Sequence, residues 1–139
     1  MSQEYLTSYD WDSKRWPNFS FDELKCSHSG KCRIDPDFLD RLQSLRTALD
    51  KPLTITSGYR DITHPVEAKK PRGGSHNHGR AVDIQCHGGF AFEVIRLVTA
   101  HGFTGLGISQ SGDHASRFLH IDHMEDDGEQ FFRPAVWSY

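Results

Sequence analysis

Ser75-His76-Asn77-His78-Gly79-Arg80-Ala81-Val82-Asp83-Ile84 carries two histidines, a glycine and a carboxylate into a strand-like run. His76 and Asp83 are both suited to a divalent cation of borderline softness. Gly79 lets the chain turn sharply between them. In an extended strand Val82 and Ile84 point to one face, and Ala81 and Asp83 to the other. Asp83 therefore faces away from the apolar side on a rigid element, with His76 on the loop leading in.

A third ligand lies downstream. The run Phe118-Leu119-His120-Ile121-Asp122-His123 alternates in the same way. Leu119 and Ile121 form its apolar face, and His120 and Asp122 share the other. A strand here, laid beside the first, brings His120 next to Asp83. Two neutral imidazoles and one carboxylate make a catalytic zinc set, with the fourth position left for water. Unrelated structural roles for the three residues are the alternative.

The rest of the composition is consistent with one soluble domain. The chain has 139 residues, 36% hydrophobic and 25% charged, with a formal net charge of −3. That balance argues against a nucleic-acid partner, which would call for a basic face. No apolar run approaches the roughly 20 residues of a membrane span. Met1-Ser2-Gln3-Glu4-Tyr5 has neither a basic nor an apolar segment of the kind a signal peptide needs. Three cysteines do not complete a disulfide framework. Nine histidines are many for this length, and most fall between His64 and His123, which is a compositional hint of a metal.

Residues 1–19 read as an extended arm lying on a domain formed by residues 20–139. Ser20 and Glu23 form a capping box that opens a short helical turn. Asp35 followed by Pro36 starts a helix, and Phe38, Leu42, Leu45 and Leu49 recur at helical spacing. Leu53-Thr54-Ile55-Thr56 reads as a strand. Residues 61–75 form a long polar loop, functional or mobile in character. Phe90 to His101 reads as a second helix closed by Gly102. Phe103 to Ser109 is strand-like. This order gives an α+β domain, helices packed on a small antiparallel sheet.

Three stretches together resemble peptidase family M15, in particular the small zinc D-alanyl-D-alanine carboxypeptidases and phage lysins. They are Thr56-Ser57-Gly58-Tyr59-Arg60, then His76-x-x-Gly79-x-Ala81-x-Asp83-Ile84, then Phe118-Leu119-His120-Ile121-Asp122. The Phe21-Asp22-Glu23-Leu24 opening and the closing Arg133-Pro134-Ala135-Val136-Trp137-Ser138-Tyr139 are similar as well. The Hedgehog signalling domain shares this fold and the His-to-Asp spacing. The resemblance implies one catalytic zinc ion on His76, Asp83 and His120, and a Hedgehog/DD-peptidase-like fold. It implies hydrolysis beside D-amino acids in peptidoglycan stem peptides or crosslinks. It also matches Arg60 to an arginine that binds substrate carboxylate or carbonyl oxygen. In the turn before a ligand-rich loop, the Arg60 fork suits an anion clamp, with a surface ion pair as the alternative, and Ser57 and Tyr59 beside it are candidate substrate-binding residues.

Two departures stand out. Many members have serine two residues before the first zinc histidine; here that position is Gly74, and the serine is Ser75. Dipeptidase-type members have an acidic base three residues before the last zinc histidine; here that position is Arg117. Asp113 and His114 are the candidate acid–base residues in its place, and His114 falls six before His120, where the Hedgehog domain has an acidic residue. Solvated loop residues are the alternative reading of both. Asp122 is a candidate to hold a ligand imidazole or Arg60 in place, and His78 and His123 are candidates for supporting or rim positions.

Cys26, His28 and Cys32 offer three ligands where a closed structural zinc site needs four. Reduced thiols are expected, with a Cys26–Cys32 disulfide as the other option. Cys86 reads as a buried thiol, and the aromatic tail as core cover rather than substrate platform. The overall expectation is a monomeric zinc metallopeptidase, made without an export signal and released to the wall as a phage or prophage lysin, or acting on wall fragments in the cytoplasm. The rivals are a zinc-containing wall-binding module without turnover and a virion structural part.

Overall fold

The computed structural model describes residues 5–139. The first four residues of the expected arm, and with them most of the stretch read for an export signal, lie outside the described residues. The elements run α1 (Phe21–Leu24), α2 (Pro36–Leu49), β1 (Thr54–Ser57), β2 (Ala81–Gln85), α3 (Gly88–Ala100), β3 (Gly105–Ser109), β4 (Phe118–Asp122) and β5 (Ala135–Ser138). Helices and sheet form an α+β architecture.

Local chemistry sets the helix ends. Ser20 accepts from the Glu23 backbone N–H while the Glu23 carboxylate accepts from the Ser20 N–H, a reciprocal cap. Asp35 caps α2 through the Asp37 N–H, ahead of Pro36 at the first helical position. Asp50 ends α2 in the left-handed conformation, at φ 53°. α3 starts at Gly88, two residues earlier than its apolar periodicity suggests.

The sheet order is β1-β2-β4-β3-β5. Three of its pairings are antiparallel, and β5 runs parallel to β3. The sheet is thus antiparallel as expected, except for the one parallel pairing at its β5 edge. β4 already has β2 on one side and β3 on the other, so the only place left on that side is the free edge of β3. The long connection from β4 lets the chain return there in the parallel sense.

Register divides the sheet into two chemical faces. Val82 pairs with Ile121, Ile84 with Leu119, and Leu106 and Ile108 with the same two residues of β4. These side chains meet Phe38, Leu42 and Leu45 of α2 and Val94 and Val98 of α3 in one core. On the other face Asp83 pairs directly with His120. A slip of one residue would drive His120 and Asp122 into the core and expose Leu119 and Ile121, each worth about 1.5–3 kcal/mol when buried. The apolar face thus fixes where the polar side chains stand.

Trp16 and Phe19 join this core, and Leu6 bridges to Cys32. The segment before α1 is therefore packed against the domain rather than merely resting on it. Gly79 adopts φ 71°, and a Cβ there would collide with the Arg33 carbonyl. Its carbonyl accepts from the Asp35 N–H at 2.8 Å. The loop carrying His76 is thereby tied to the start of α2. Among the described residues, no helix is long and apolar enough to cross a membrane.

Candidate metal centre

His76, Asp83 and His120 each offer a ligand atom, and the three atoms lie within 4.8 Å of one another. Asp83 Oδ1 is 3.3 Å from His76 Nε2 and 3.2 Å from His120 Nδ1. Each imidazole is oriented through its other nitrogen. His76 donates from Nδ1 to the Gly58 carbonyl at 2.8 Å, which leaves the Nε2 lone pair toward Asp83. His120 Nε2 is 2.7 Å from Asp122 Oδ2, which leaves Nδ1 toward Asp83. Metal-binding histidines are commonly held in this way, one nitrogen on the ion and the other on a carbonyl or carboxylate. The donor set fits a borderline divalent cation such as zinc, with two imidazoles, one carboxylate and an open side.

Asp122 is wholly buried and accepts from Arg133 at 2.9 Å and 2.8 Å in a two-pronged pair. Burial opposes its charge, but the hydrogen bonds from His120 and Arg133 outweigh burial and hold its carboxyl down to about 2. Asp83 is also held below the usual carboxylate range; burial works against this, and the two histidines win. Burial lowers His76, favouring the neutral ring a metal needs. His120 is raised despite burial, because it lies between Asp122 and Asp83. A cation entering at Nδ1 would release that proton.

A cleft of about 340 Å³ opens over the group. Arg60, Lys70 and Ser75 line it from the β1 side, and Phe118, Trp137 and Tyr139 from the β4 and β5 side. Arg60 is fixed by Ser57 Oγ at 3.0 Å and Asp83 Oδ2 at 3.3 Å. Its Nη1 is 4.0 Å from Glu67.

Glu67 was not anticipated. It is fully buried in the long polar loop and accepts from the Gly74 N–H at 2.7 Å. No periodicity marks a lone acid in an irregular segment, so its burial has no signature in the sequence. The aromatic tail also differs from expectation. Trp137 packs on the His120 ring at 5.2 Å, so the tail borders the cleft rather than covering the core.

The remaining expected site residues fall elsewhere. Tyr59 is 2% exposed, with its hydroxyl on Asp61, and is not part of the cleft lining. Ser57 pairs with Asp83 in the β1–β2 register, and its hydroxyl accepts from Arg60 Nε. His78 bonds the Gly74 carbonyl and packs edge-on against Phe131. His123 borders a separate cavity with Asp35, Arg41 and Arg80. Asp113 and His114 are exposed at a 3₁₀ turn, His114 stacked on His87 at 4.3 Å. Neither lines the cleft. Cys26, Cys32 and Cys86 are free and buried, and burial pushes the Cys32 and Cys86 thiols up to about 11. Among the described residues, Cys26, His28 and Cys32 form no metal-binding group.

A search of curated proteins finds no match to this chain. The family model described as Peptidase M15 matches residues 17–122, well over half of the chain and all of β1 through β4. With its three metal-suited side chains inside that match, the chain belongs to the peptidase M15 family.

Proposed function

We propose that this protein is a zinc-dependent peptidase that hydrolyses peptide bonds beside D-amino acids in peptidoglycan stem peptides or crosslinks. The observation that carries the reading is the convergence of His76, Asp83 and His120 at the floor of an open cleft. His76 would hold the ion through Nε2, Asp83 through a carboxylate oxygen and His120 through Nδ1. A bound zinc would polarise the scissile carbonyl and bring the pKa of its water to about 7.

The chain's own residues do the rest. Arg60, clamped by Ser57 and Asp83, presents a guanidinium fork suited to a substrate carboxylate or carbonyl. Lys70 adds a second cation on the same side. Residues 20–139, with Trp16 and Phe19 packed into their core, act as one catalytic domain, as a monomer, on a substrate reached after release to the cell wall.

The test is turnover on purified peptidoglycan by wild type and by Asp83→Ala. Release of new amine groups by wild type alone supports the reading. If zinc-loaded wild type binds sacculi but releases no amine, the protein is a wall-binding module.

A further inference from the structure

β5 brings two aromatic side chains to the metal-bearing face. Trp137 is the register partner of Gly107, and Gly107 is the partner of His120. These positions form one row across the sheet and share a face. Tyr139, two residues beyond Trp137, returns to that face.

The row requires glycine at 107. A Cβ there would stand 2.6 Å from Trp137 Nε1 and 2.9 Å from Tyr139 Oη. The two polar ends therefore occupy the space a side chain would fill, next to His120. The Tyr139 ring is steadied by Phe118 at 5.2 Å. The Trp137 indole N–H and the Tyr139 hydroxyl interact, with both polar ends converging on the place of a Cβ at 107. A phenol oxygen that accepts from an indole keeps its own O–H to donate. Tyr139 and Trp137 line the same cleft as His76, Asp83 and His120.

We propose that Tyr139 is a catalytic residue whose hydroxyl donates a hydrogen bond to the scissile carbonyl oxygen as that oxygen gains negative charge. No proton is transferred in this step; the phenol stabilises charge as a fixed donor. The role rests on the hydrolase reading above. Trp137 is a positioning residue, since it acts by orienting the phenol.

The test is Tyr139→Phe, which keeps the ring and removes the donor. Removing one such donor typically lowers turnover by about 10²–10³-fold. The expected result is a kcat loss of tens- to hundreds-fold with KM within about threefold and zinc stoichiometry unchanged. Binding of a phosphinate peptide, whose tetrahedral oxygens mimic the charged state, should weaken at least tenfold by calorimetry. In metal-free protein the Trp137 indole N–H resonance should shift. Wild-type kcat in the variant would overturn the proposal, as would a change confined to KM, a loss of zinc or an unmoved indole resonance. A zinc-loaded wild type without turnover would instead overturn the hydrolase reading on which the role depends.

Discussion

Asp122 Oδ2 lies 2.7 Å from the Nε2 of His120, two residues back on the same strand. The same carboxylate takes both prongs of Arg133. One buried acid thus fixes a candidate ligand ring and neutralises a cation supplied by the loop before β5. Asp122→Asn keeps the shape and removes the charge. It should weaken zinc affinity about 10–100-fold and destabilise the fold by about 3–5 kcal/mol, since Arg133 loses its buried partner. Competitive metal titration and denaturant unfolding measure the two effects separately.

Acid should expose the same contact. The folded carboxyl of Asp122 lies at about 2, below its ordinary value of 3.8. A depressed folded pKa means that the stabilisation is full above the unfolded value and fades as pH falls through the folded one. Metal-free wild type should therefore lose about 2 kcal/mol of stability from this group between pH 5 and pH 2. Asp122→Asn should lack that component, so the two unfolding curves should converge toward pH 2.

Gly105 stands beside Asp122 in the paired strand. A Cβ at 105 would fall onto the Asp122 carboxylate. Gly105→Ala must displace either the acid or the strand, at a cost of about 1–3 kcal/mol. Its zinc affinity should drop with that of Asp122→Asn, although Gly105 touches no candidate ligand. Wild-type affinity in Gly105→Ala would show that the Asp122 position is not critical to the site.

Asp113 and His114 lie exposed and away from the cleft lining. A general acid–base residue contributes about 10²–10⁴-fold to rate. Asp113→Ala and His114→Ala should each leave kcat on a stem-peptide substrate within about twofold. A hundredfold loss in either would bring that loop into the reacting complex.

The central strands could be read from the sequence because alternation is a local signal. Val82 and Ile84 against Asp83, and Leu119 and Ile121 against His120, each set a face without reference to distant residues. The same held for α2, where Asp35, Pro36 and the leucine spacing mark start and buried side. The β5 side of the cleft was not legible. Its position depends on which sheet edge remained free, a property of the assembled topology rather than of residues 131–139. Arg133 as the partner of Asp122, and Trp137 against His120, follow from that placement. Glu67 lacks such a signal: its buried carboxylate meets the Gly74 N–H, Lys70 and Arg60, and the contacts with Gly74 and Arg60 exist only once the loop has folded.

The coordination of zinc in the protein, read by anomalous diffraction or X-ray absorption, tests the metal centre most directly. One ion is expected, with two nitrogen ligands at about 2.0–2.1 Å, from His76 and His120, and Asp83 oxygen at about 2.0–2.2 Å. A protein that takes up no zinc, or that binds it through other side chains, would contradict this coordination.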